Sequence, residues 1–213
     1  MNSRPITFAA GLSFVVLAAT LTQPVHAAES SLTITLAGQA MLRSDLRSVS
    51  PATMAAMAPL ITGDVKFTNF EAAVGRAGDS PAAGRNVSPP EALDALQALG
   101  FNLMSLANNH AFDNGAPGIL STLAQADKLG IAHAGTGPTL TAAASAGLLR
   151  TPHGTVALVA TASGLMAEGA MAGAGPGVNE LRIEAGGKIN QGSSRDEFPP
   201  GCASSEHLGQ MRG

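Results

Sequence analysis

The feature that most constrains this chain is a unit that occurs twice in succession: a segment striped with leucines, a glycine, then a short apolar run. In the first copy Pro89 and Pro90 precede Leu93, Leu96 and Leu99, Gly100 follows, and Phe101–Leu106 is largely apolar. In the second, Pro117 precedes Ile119, Leu120, Leu123 and Leu129, Gly130 follows, and Ile131–Ala134 completes the unit. The leucine spacing is that of one helix face, with proline at its opening and glycine at its close. Short apolar runs after such helices read as buried strands. This alternation predicts an α/β chain with parallel strands joined by crossover helices.

The same reading extends outward. Leu32–Leu36 alternates apolar and polar residues and predicts a strand that ends in a loop at Gly38. Met54–Ile61 predicts a short helix around Pro59, and Val65–Thr68 a second strand ending at Asn69-Phe70-Glu71. Gly75–Ser88 is rich in Gly, Ala, Pro and Ser and reads as a long flexible loop. Thr155–Ala160 predicts another strand and Leu181–Glu184 a weaker one, with an Ala/Gly loop over Ala167–Gly177 between them.

The two ends have a different character. Arg4, an apolar run from Phe8 to Leu21, and Val25-His26-Ala27 together read as an export signal, residues 1–27, cleaved after Ala27. An uncleaved anchor is the competing reading, but the run is shorter than the ~20 apolar residues that span a bilayer. No later segment is long and apolar enough to span. The folded domain is then expected over residues 30–186, in the periplasm or beyond. Residues 187–213 carry Gly, Ser, Pro and charge without apolar periodicity, either as a disordered tail or as a truncated or frame-shifted end. Cys202 is the only cysteine, so an oxidising compartment has no intramolecular disulfide to form. A net charge of −3 without a basic stripe, and the absence of Trp and Tyr, argue against a nucleic-acid partner.

Chemistry concentrates at predicted strand ends. Asn108-Asn109-His110-Ala111-Phe112-Asp113-Asn114-Gly115 follows a buried strand, where open α/β sheets place their ligands. An amide oxygen, an imidazole and a carboxylate within six residues suit an oxygen/nitrogen metal site or an acid–base pair. His110 can protonate a leaving oxygen and Asp113 can orient its ring. The alternative is an Asn-rich turn that caps the following helix. Asn69-x-Glu71 and Gly38-Gln39-Ala40-Met41-Leu42 lie at two further strand ends.

These motifs, in this order and spacing, resemble the capsule-synthesis CapA-type family over about Leu32 to Ile183. That family carries a Gly-Asp-x-Met-Leu-like motif, Asn-Leu-Glu, Ala-Asn-Asn-His-x-x-Asp-x-Gly and a Gly-Ala-Gly-like turn. The matching segments here are Gly38–Leu42, Asn69–Glu71, Ala107–Gly118 and Gly135-Thr136-Gly137. The resemblance implies a metallophosphatase-like αββα sandwich, of which this chain would carry the N-terminal half. It implies a divalent metal ion (Mn, Zn or Mg) that activates water against a phosphorus or carbonyl centre. Glu71 and Asn109, with Gln39 at a third position, would be metal ligands, His110 the general acid and Asp113 its support. The implied partner is a capsule or envelope polymer such as poly-γ-glutamate, or its synthesis machinery. Two departures stand out. Gln39 replaces the usual aspartate, and an amide binds a divalent cation more weakly than a carboxylate. The family's later His-containing motifs are not found, since His153 and His207 lack that context.

Other candidates read more plainly. His133, in an apolar strand, is expected to be a satisfied core histidine. Gly135-x-Gly137 can cradle an anion on backbone N–H groups, but it lacks the third glycine of a dinucleotide fingerprint. Gly173-x-Gly175-x-Gly177 reads as a loop. Arg43, Asp45 and Arg47 form either an anion-binding cluster or a solvated surface.

Overall fold

The computed structural model describes residues 31–75, 85–163, 166–183 and 189–190. The segment expected to be an export signal, Cys202, His207 and nearly all of the tail lie outside the described residues.

The doubled helix–glycine–strand unit forms as its spacing predicts. Helix α3 (Glu91–Ala98) leads to strand β5 (Leu103–Ser105), and helix α4 (Gly115–Lys128) leads to strand β6 (Ala132–Ala134). Both helices stop by the same device. Gly100 takes φ 93° and Gly130 φ 66°, the left-handed region that costs glycine little. The next residue then reaches back: Phe101 N–H donates to the Leu96 carbonyl (3.2 Å), and Ile131 N–H to that of Ala126 (3.0 Å). These are Schellman closures, each with a buried apolar residue just beyond the glycine. Glu91 and Asp94 in the first turn of α3 complement the positive end of its dipole.

Upstream lie strand β1 (Ile34–Ala40), helices α1 (Leu46–Val49) and α2 (Pro51–Met57), a 3-10 turn (Ala58–Leu60) and strand β2 (Val65–Phe70). The central sheet has the order β1-β2-β5-β6, and each neighbouring pair is parallel. Strands laid down in chain order across a parallel sheet place their right-handed crossovers on one face. The core shows this: Met104 and Leu106 meet Leu93, Leu96, Leu99 and Ala126, with Met54 and Met57 packed against the same cluster. Burying each leucine of α3 contributes about 1.5–3 kcal/mol before entropy is counted. On the other face of β1, Ile34 and Leu36 are 50% and 73% exposed.

The α/β expectation holds, and the differences lie in detail. β1 does not stop at Gly38. Its register with β2 shifts between Leu36 and Gln39, the Thr68 hydroxyl donates to the Gly38 carbonyl at 2.7 Å, and the strand continues to Ala40. Leu120, counted on the apolar stripe of α4, is 47% exposed, while Ile119 is buried.

The loop expected over Gly75–Ser88 is partly a built element. Residues 76–84 lie outside the described residues, but strand β4 (Val87–Ser88) pairs in parallel with β3 (Ala73–Val74). Val74 N–H also donates to Thr122 Oγ1 at 2.9 Å, which joins β3 to α4. Further on come β7 (Thr136–Gly137), α5 (Leu140–Ala144), and a hairpin of β8 (Gly147–Thr151) with β9 (Gly154–Leu158). The sequence reading missed β8. The Ala/Gly stretch is likewise not a free loop, because β10 (Gly177–Val178) pairs with β7 and Ala170, Ala172 and Val178 are buried. Finally, β11 (Arg182–Ile183) pairs with β12 (Ile189–Asn190), so the chain keeps β structure past Gly187.

Candidate functional site

Parallel pairing sets the site. Gln39, Asn69 and Ser105 are register partners across β1, β2 and β5 at the carboxyl edge of the sheet. The bulge in β1 is what brings Gln39 level with Asn69. Beyond this row the chain turns at Glu71 and at Ala107–Asn114, so the three sequence motifs share one edge.

His110 and Asp113 are brought together as their three-residue spacing suggests. His110 Nδ1 lies 2.7 Å from Asp113 Oδ2, with the two side chains 23% and 12% exposed. A carboxylate can only accept, so Nδ1 carries the proton of this bond and Nε2 is left to face other groups. The same Asp113 oxygen accepts the Asn86 main-chain N–H. The Asp113 carbonyl accepts from Arg85 Nη1 at 2.6 Å.

Asn108, the first residue of the His110 motif, to which the sequence assigned no role of its own, holds the turn. It is 7% exposed, its Nδ2 donates to the Phe70 carbonyl (2.8 Å) and to Asn69 Oδ1 (3.3 Å), and its Oδ1 accepts the His110 N–H (3.0 Å). Asn109 is exposed beside it. Glu71 Oε2 accepts from Asn69 Nδ2 at 3.2 Å, and Glu71 N–H donates to the Ala40 carbonyl at 3.0 Å. Gln39 is exposed and its Nε2 donates to the Met41 sulfur at 3.1 Å.

The donor set does not by itself fit a resident divalent ion. Glu71, Asn109 and Gln39 bring one negative charge between them, whereas such ions are held by several carboxylates or imidazoles. Among the described residues no three His, Cys, Asp or Glu side chains group as a metal site would require. His110 cannot make up the deficit through Nδ1, which is committed to Asp113.

The lesser candidates resolve into structural roles. His133 Nε2 meets Asp127 Oδ1 at 3.1 Å, with the imidazole 17% exposed. His153 sits at the hairpin turn, 43% exposed and 3.6 Å from Asp64. Gly137 serves close packing: a Cβ there would lie 2.4 Å from the Ala143 nitrogen, so the backbone of α5 occupies the space an anion would need. Asp45 caps α1 through the Arg47 N–H at 2.9 Å. Arg47 in turn binds Asp45 (2.9 Å) and Asp94 (3.3 Å), and its side-chain hydrogen bond holds the Asp45 carboxyl below the usual range. Asp45 and Arg47 are thus engaged with each other and with Asp94.

A four-stranded parallel sheet with helices, carrying an oriented His–Asp pair and several amides at its carboxyl edge, defines an α/β protein. Comparison with known proteins makes this specific. Residues 33–195 match the family described as bacterial capsule synthesis protein PGA_cap, and the chain belongs to that family. It is also similar to two uncharacterized proteins of Sinorhizobium fredii (strain NBRC 101917 / NGR234), y4sH and y4uA. Each is 42% identical over 105 residues, which covers 46% of this chain and 23% of the relative. The matched part is thus about a quarter of the length of these curated relatives. Among the described residues no helix is long and apolar enough to cross a membrane.

Proposed function

We propose that this chain is an exported protein of capsule or poly-γ-glutamate metabolism that presents a histidine general acid to an anionic envelope polymer, in the manner of a phosphoesterase-type hydrolase. The observation that carries the reading is the 2.7 Å bond between His110 and Asp113 at the carboxyl edge of the sheet. Fixed through Nδ1, the imidazole turns Nε2 toward substrate, where, as water adds to the centre, it can give a proton to the leaving atom: the oxygen of a phosphodiester or the nitrogen of a γ-glutamyl amide. Asp113 holds the ring in one tautomer and orientation. The amides of Asn109 and Gln39 supply neutral hydrogen-bonding groups beside it. Family membership supports the link to capsule polymer, and the apolar N-terminal run supports export.

A second reading is favoured by Gln39 and the single charge of the donor set: a non-catalytic envelope component that binds polymer on the same edge. One experiment separates the two. Mature protein is given a phosphodiester and a γ-glutamyl amide, with Mn²⁺ present, beside His110→Ala and Asp113→Asn. Loss of turnover by roughly 10²-fold or more in His110→Ala, the scale of general acid catalysis, is expected. Equal rates in wild type and His110→Ala, with polymer binding retained, would replace the hydrolase reading by the binding one. Export itself predicts a mature N terminus at Ala28, read by N-terminal sequencing.

A further inference from the structure

Arg85–Ser88 belongs to none of the motifs that sequence picks out, yet it touches all three. Asn86 and Ser88 are each 1% exposed. Asn86 donates twice: its main-chain N–H to Asp113 Oδ2 and its side-chain Nδ2 to the Glu71 carbonyl. Its own carbonyl accepts the Ala73 N–H at 3.0 Å. Two residues on, Ser88 Oγ donates to the Leu42 carbonyl.

Followed around, these bonds close a circuit. Asn86 holds the Glu71 backbone, and the Glu71 carboxylate accepts from Asn69. Asn69 accepts from Asn108, and Asn108 accepts the His110 N–H. His110 donates to Asp113, which accepts the Asn86 N–H. Asn86 and Asn108 are buried and the other members half-buried, and polar groups linked in this way support one another. Within the circuit Asn86 alone bonds both the Glu71 turn and the Asp113 carboxylate. Its Oδ1 is buried and has no partner among the described residues. An acceptor left unpaired in the interior is a cost, which the position bears to keep the Nδ2 donor.

We propose that Asn86 is a positioning residue for His110: its side chain fixes its own peptide against Asp113 and so keeps the imidazole in the Nδ1–H tautomer. This rests on the reading of His110 as the acid, but its test does not use turnover. The probe is the long-range ¹H–¹⁵N spectrum of the His110 ring in the full chain, recorded with the imidazole neutral. Wild type is expected in the Nδ1–H form. In Asn86→Ala and in Asn86→Leu, which keeps the shape but not the donor, the ratio of Nδ1–H to Nε2–H should fall roughly five- to tenfold, the worth of one hydrogen bond. Ser88→Ala cuts the bond to Leu42 outside the circuit and should leave the ratio as it is. An unchanged ratio in a folded Asn86 variant overturns the proposal, as does an equal change in Ser88→Ala. Failure of both Asn86 variants to fold also overturns it, since the residue would then serve the fold and not the ring. If His110→Ala leaves turnover untouched, the catalytic reading fails while the tautomer result stands.

Discussion

Gln39 shows how much one atom decides at the residue scale. It is the register partner of Asn69, two residues before Glu71, and adjacent strands lie about 4.8 Å apart. A carboxylate at residue 39 would therefore stand close enough to Glu71 to share a cation. Gln39→Asp is expected to strengthen Mn²⁺ binding by roughly tenfold or more, since ligand charge sets the affinity of oxygen-ligand sites. Titration calorimetry on both proteins reads this, and equal affinities would show that the two positions do not converge. Part of this site was legible in sequence for a physical reason. His110 and Asp113 lie three residues apart on one turn, so their spacing alone nearly dictates their bond. Asn86 and Ser88 were not legible. Their partners lie 15, 27 and 46 residues away, and their segment reads as loop because glycine, alanine and proline surround it. Asn108 was hidden differently: its two bonds to β2 depend on parallel pairing that the motif alone does not reveal.

At the scale of elements, the doubled unit was readable because each helix carries its own stop signal in Gly100 or Gly130. The hairpin of β8 and β9 was not, because Pro152-His153 is no primed-turn signature and the strands are only partly buried. Its docking depends on close approach. A Cβ on Gly147 would lie 2.1 Å from the His133 carbonyl oxygen of β6, whereas one on Gly173 would meet nothing within 4 Å. Gly147→Ala should therefore destabilise the protein by about 1–3 kcal/mol, and Gly173→Ala should be near neutral. Urea unfolding measures both, and similar midpoints would contradict the packing.

The start of the β1–β2 pair carries a second element-scale device. Asp64 Oδ2 accepts the Thr33 N–H (2.8 Å) and hydroxyl (2.7 Å), and these bonds, the main-chain one first, hold its carboxyl below the usual range. A lowered folded pKa gives stability that is fully present above the ordinary carboxylate value of about 3.9 and is lost as pH falls through the folded value. Asp64→Asn should thus narrow the stability difference between neutral and acid solution. A pH series of thermal melts in which both proteins lose stability in parallel below that value would count against the clamp.

For the whole molecule, the arrangement of the sheet has one consequence that no single element shows. Among the described residues, three crossovers on one face leave the other face of β1 without a helical cover, and β1 is one edge strand of the order β1-β2-β5-β6. Ile34 and Leu36 stand there 50% and 73% exposed. The alternation of Leu32–Leu36 predicted which residues share a face, but not that this face is the open one. That depends on the direction in which the crossovers run, which only the strand order fixes. An exposed apolar row on an edge strand invites self-association, yet it gives the folded chain little burial energy. The double variant Ile34→Thr, Leu36→Thr is therefore expected to keep its unfolding free energy within ~1 kcal/mol of wild type. Threonine retains β-propensity while removing apolar area, so the variant should bind less hydrophobic dye and show a lower apparent mass by light scattering. If it instead loses several kcal/mol, Ile34 and Leu36 are buried in the working protein, and the face is covered. Stability and association therefore have to be read together, because an open face changes only the second and a covered face changes the first.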